Sequence, residues 1–158
     1  MTKFLLSVHV IAAILAIGPV AVAASMFPPA ARRALSTRPG ADDSHGDDGP
    51  DATGTLHLLH RICRVYAVVG VVVPVFGFAT ASEMGVLGSA WLIVSIVLTA
   101  LAALVLAALV LPAQSALIEG RAEAGRAARL GMVTGLFNLL WAAVTVLMIV
   151  RPGSTTGA

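Results

Sequence analysis

Four long apolar stretches, uncharged through their centres, constrain this chain more than any other feature. They run from about Phe4 to Met26, Leu56 to Thr80, Ser89 to Ile118 and Leu130 to Val150. An α-helix rises about 1.5 Å per residue, so crossing about 30 Å of hydrocarbon takes roughly 20 apolar residues. Each stretch meets that length, and a helix buried in a soluble core is rarely so long and so uniformly apolar. Composition agrees: of 158 residues, 58% are hydrophobic and 11% charged. A soluble domain carries about twice that share of charge, because its surface must face water. The fold class read from these features is all-α: a polytopic membrane protein, a four-transmembrane-helix bundle, forming a single membrane domain over 1–158.

The links between the stretches set its orientation. Residues 32–55 read RRALSTRPGADDSHGDDGPDATGT, rich in Gly, Pro, Asp and Ser and almost free of large apolar side chains. Such a segment buries too little surface to offset its ordering entropy, and the expectation is a disordered loop. The second link, Ala81 to Gly88, carries only Glu83 as a charge. The third, EGRAEAGRAAR over 119–129, pairs Glu123 with Arg126 at i,i+3 and reads as a polar continuation of helix. Arg32, Arg33, Arg38, Arg61, Arg64, Arg121, Arg126 and Arg129 all fall at the first and third links, against Lys3 and Arg151 on the other face. Positive charge is retained in the cytoplasm. That predicts a multi-pass plasma-membrane protein with both termini outside. A cleaved secretory signal is the competing reading of the first stretch, since Lys3, Gly18-Pro19 and Ala21-Val22-Ala23 suit one. Cleavage would leave three spans and export the arginines, so charge placement favours a retained helix.

Several positions within the stretches perturb a helix: Gly18-Pro19, Gly70, Pro74, Gly77 and Pro112. Gly131 and Gly135 form a GxxxG pair, and Ala12, Ala16 and Ala24, like Ala103 and Ala107, stand near one face of their helices. Small residues at this spacing let helix backbones approach closely, although an alanine-rich chain also produces it by chance.

Candidate sites are few. His9 lies inside the first stretch, where an ionisable residue is a functional candidate by default, and Ser95, Thr145 and Met148 are expected at its depth. His57, His60, Arg61 and Arg64 fall at offsets that make one helical stripe, with Gln114 at matching depth on the third helix. Such a stripe suits arginines that snorkel and set orientation, and also an anionic lipid head group or another anion. His9 lies about 25 Å along its helix from the cytoplasmic end, too far to share a metal or haem with His57 or His60. The segment Asp42-Asp43-Ser44-His45-Gly46-Asp47-Asp48 lacks calcium-loop spacing and reads as a solvated linker. Cys63 stands alone, so no internal disulfide forms, and its apolar flanks read as core. The chain has no Ser/His/Asp constellation, CxxC pair, P-loop or dinucleotide fingerprint. Nor does it pair a basic run with aromatic residues, as a nucleic-acid groove requires.

The motifs Leu5-Leu6-Ser7-Val8-His9-Val10, Pro74, Phe76-Gly77, Ser89-Ala90-Trp91-Leu92 and Leu111-Pro112-Ala113-Gln114 resemble an uncharacterised bacterial family of predicted four-helix integral membrane proteins, a domain of unknown function. The resemblance covers most of the chain except the Asp-rich loop, and the Ala-, Val-, Gly- and Arg-rich composition looks actinobacterial. A looser likeness connects the His9 helix to copper-resistance and protoporphyrinogen-oxidase-type four-helix membrane proteins, which use histidines within their spans for copper or haem. Only His9 matches that pattern here. The expectation is an accessory or interaction protein of the plasma membrane with no catalytic machinery and no resident cofactor. Its partners are then the bilayer and a second copy or another membrane protein. A haem- or copper-binding redox protein centred on His9 is the alternative. A small transporter using Asn138, the main strongly polar side chain at mid-membrane, is the second alternative.

Overall fold

The computed structural model describes residues 1–36, 52–121 and 124–153, and among them it is helical without a strand. The elements are α1 (Thr2–Ser36), α2 (Ala52–Val69), α3 (Val72–Glu83), α4 (Ala90–Val105), a π turn (Leu106–Val110), α5 (Leu111–Ile118) and α6 (Ala124–Val150). They compose four rods long and apolar enough to cross a membrane: α1 alone, α2 with α3, α4 with α5, and α6 alone.

Each internal irregularity follows from a proline. Pro74 has no N–H, and its ring would collide with the carbonyl four residues back, that of Gly70. The rod breaks there. Val71 N–H bonds Val68 O at 3.1 Å and Val73 N–H bonds Gly70 O at 3.2 Å, both one residue shorter than the α-helical register. Pro112 has the opposite outcome. Leu111 N–H reaches back five residues to Leu106 O, widening the turn so that the ring clears the chain. One extra residue in a turn rotates everything after it by about 100°, which sets the facing of α5.

Glycines end two of the rods. Gly85 (φ +66) follows α3 and Gly120 (φ +69) follows α5. In both, the next N–H closes back five residues, Val86 to Ala81 O and Arg121 to Ala116 O. This left-handed cap favours glycine because a Cβ would crowd the backbone.

α1 packs on α2, α3 and α6, while α4 packs chiefly on α6. The core runs along the α1 stripe Val20, Ala23, Ala24, Phe27 and Ala31 and meets Leu130 and Phe137 of α6. At one end, Ala31, Leu35, Thr53, Leu56, Leu117 and Gly120 come together, so the first and third links share a face. At the other, Ala81, Val86, Trp91, Leu92 and Met148 form a second cluster, and the Arg151 guanidinium lies 5.9 Å from the Trp91 ring centre. The outward surface is apolar: Val68, Leu139 and Ile149 are 72%, 70% and 75% exposed. An exposed apolar surface of that extent is the mark of a face that contacts a membrane or another protein.

The polar ends depart from the sequence expectation. Residues 32–36 and 52–55, read as part of a disordered loop, are helical. Ala and Arg extend a helix readily, and Arg33 in the last turn of α1 complements its dipole. Asp42–Asp48, with His45, lies outside the described residues, as do Arg38 and Glu123. Among the small residues, Ala16 and Ala24 are buried, but Ala103 and Ala107 face outward and Ala102 takes the inner place.

Candidate functional site

At the arginine-rich end, α2 and α5 are joined by an ordered run of hydrogen bonds. Gln114 is fully buried, and its Oε1 accepts from His60 Nδ1 at 3.0 Å. A carbonyl oxygen only accepts, so His60 carries its proton on Nδ1 and presents a lone pair at Nε2. Ser115 Oγ lies 3.5 Å from that nitrogen and donates to it. Gln114 Nε2 donates to Cys63 Sγ at 3.6 Å. The π turn is what brings Gln114 inward and Ser115 beside His60. Sequence reasoning singled out His60 and Gln114, but the roles of Ser115 and Cys63 had no signal in any motif. The order serine, histidine, amide is that of a nucleophile, its base and an orienting group. Ser115, however, sits within α5, and a helix engages its interior N–H groups in its own hydrogen bonds. Its chemistry is that of an interhelical clasp.

The remaining members of the α2 stripe diverge from His60. His57, Arg61 and Arg64, at i, i+4 and i+7, are all exposed, and among the described residues no carboxylate pairs with Arg61 or Arg64. Among the described residues, an ion pair at this end joins Arg121 to Glu119.

His9 sits where α1 crosses α3. Its Nδ1 donates to Val73 O at 3.0 Å, and the ring lies against Gly77, where an added Cβ would stand 3.0 Å from Cε1. The expected companions do not join it. Ser95 and Thr145 turn their hydroxyls onto their own helices, to Trp91 O and Trp141 O, because such back-bonding satisfies a hydroxyl without a partner helix. Met148 packs in the cluster with Trp91 instead.

On α6, a Cβ added at Gly131 would stand at ordinary contact distance, 3.9 Å, from Pro28, and one added at Gly135 would meet nothing within 4 Å. Within one chain the GxxxG pair is therefore not a seam of close backbone approach. Asn138 Nδ2 donates to Ser25 Oγ at 3.0 Å. Thr134 Oγ1, Asn138 Oδ1 and Trp141 Nε1 are buried without partners, at i, i+4 and i+7 along the helix. Among the described residues no three His, Cys, Asp or Glu side chains converge as a metal site would require. No family model matches the chain, and neither does any curated protein or solved structure.

Proposed function

We propose that this chain is a four-span plasma-membrane protein with both termini outside, and that it acts as an interaction protein holding an anionic lipid head group at its cytoplasmic end. One observation carries this reading: His57, Arg61 and Arg64 stand exposed on one face of α2 without an acidic partner among the described residues, beside a clasp that anchors the same helix. Cations at this depth extend toward phosphate, and each contributes roughly 1 kcal/mol of attraction to an anionic leaflet. The test is native mass spectrometry of the purified chain, equilibrated with phosphatidylglycerol or phosphatidylcholine. Preferential retention of phosphatidylglycerol, lost in Arg61→Ala/Arg64→Ala, is expected. Equal retention of both lipids rules the reading out.

A second reading, a haem- or copper-binding protein, has one observation in its favour. The bond from His9 Nδ1–H to Val73 O leaves the Nε2 lone pair available, which is how metal-ligating histidines are commonly oriented. His9 would supply one ligand. An absorbance scan and metal analysis of protein from native membrane test it. A Soret band or bound copper that disappears in His9→Ala supports it, and their absence from the wild-type chain removes it.

A further inference from the structure

A cavity of about 150 Å³ lies inside the bundle, with all four rods in its wall. Ala16 of α1, Gly70 at the α2–α3 break, Ala103 of α4 and Phe137 of α6 line it, and each stands near the middle of its rod. At 1.5 Å per residue that is roughly 20 Å from either end. The space exists because side chains at Ala16, Gly70 and Ala103 are small or absent where four rods meet. Its accessible lining is almost entirely apolar. Trp141 adds ring carbons to the wall and not its N–H, since Nε1 is buried.

The cavity opens sideways. α3 packs on α1 and α4 on α6, with little direct packing between α3 and α4. Val71 and Ala103 both line the cavity and are exposed, so they form its two lips. Two constraints then select an occupant. Apolar walls offer a polar molecule no hydrogen bond, and lining atoms without neighbours forgo dispersion contacts that hydrocarbon restores. A dry apolar cavity of this size therefore takes up apolar molecules from its surroundings. Depth narrows the class further. With the rods spanning a bilayer, the mouth opens near the middle of a hydrocarbon layer about 30 Å thick. Head groups do not reach that depth, and the molecules at hand are the ends of acyl chains.

We propose that this cavity binds the terminal part of a bilayer lipid's acyl chain, which enters between α3 and α4 and supplies the packing those two helices do not give each other. The assignment rests on the membrane-spanning reading and is independent of the arginine stripe.

The test uses the full chain in phosphatidylcholine nanodiscs, in a Trp91→Phe background so that fluorescence reports Trp141. Lipid brominated near the chain end is expected to quench Trp141 at least about twofold more than lipid brominated beside the glycerol, because quenching needs near contact. Ala103→Phe sets a ring in the mouth at an exposed position. It should cut the chain-end quenching by about half or more, since the ring takes the space in which a chain touches Trp141. Val71→Phe, on the other lip, should do the same. A reporter on the outer face, Leu139→Trp in a Trp91→Phe/Trp141→Phe background, meets ordinary boundary lipid and should not respond to Ala103→Phe. Chain-end quenching of Trp141 that neither plug reduces, with thermal unfolding preserved, overturns the proposal. So does an equal loss at the Leu139→Trp reporter. Weak quenching that grows only on dilution into excess lipid overturns it as well, because a second copy would then cover the mouth. A chain that fails to enter nanodiscs removes the membrane-spanning reading itself, and this assignment with it.

Discussion

An amide side chain with no exposed surface must find partners for both its oxygen and its nitrogen inside the protein, and Gln114 finds them on one neighbouring helix. Replacing it with leucine keeps the volume but strands His60 Nδ1–H, at a cost of about 1–3 kcal/mol. Gln114→Leu should therefore lower the thermal unfolding temperature in detergent, whereas Ser115→Ala, which removes a long and partly exposed contact, should change it little. His9 and Gly77 make a different kind of pair, governed by space. A Cβ at Gly77 would stand 3.0 Å from His9 Cε1, so Gly77→Ala should destabilise by about 1–3 kcal/mol as the ring is displaced. The cost should largely vanish when His9 is already alanine. A double-mutant cycle measures that coupling. His9 was conspicuous in the sequence as an ionisable residue in an oily stretch. That Gly77 makes room for its ring was not, because the two are 68 positions apart and only the crossing of α1 over α3 joins them.

At the scale of elements, prolines that look alike in sequence have different consequences. Pro74 breaks its rod into α2 and α3, while Pro112 leaves its rod continuous and widens one turn. Both positions were recognisable as perturbations, but the register each adopts depends on neighbouring packing and not on the proline. The π turn matters because its rotation aims Gln114 at α2. The GxxxG pair of α6 shows the converse, a motif clear in sequence with no tight contact in the chain. Gly131 and Gly135 have ordinary or open surroundings, so Gly131→Ala/Gly135→Ala should leave monomer stability unchanged or raise it by up to about 1 kcal/mol per site through helix propensity. Thermal unfolding checks this. A fall in oligomeric mass on size-exclusion with light scattering would assign the pair to contact between copies.

For the whole molecule, the two ends can be told apart by chemistry. The native thiol, Cys63, has no exposed surface and should stay silent to a membrane-impermeant maleimide. Glu83→Cys should label from outside intact cells, and Arg121→Cys only after the membrane is opened. Labelling in the reverse order would invert the proposed topology. The four rods and their oily surfaces could be read from the sequence, because hydropathy is a property of each residue and about twenty in a row leave a helix little choice of solvent. The division of arginines between the two sets of links was legible for the same reason. Which faces turn inward was not legible. A rod that is apolar all round has no polar side to orient it, so its rotation is decided by where Pro74 breaks it, where Pro112 widens it and which small side chains let neighbours approach. Only the tertiary structure could therefore join His60 to Gln114, lay His9 on Gly77 and open a cavity beside Trp141.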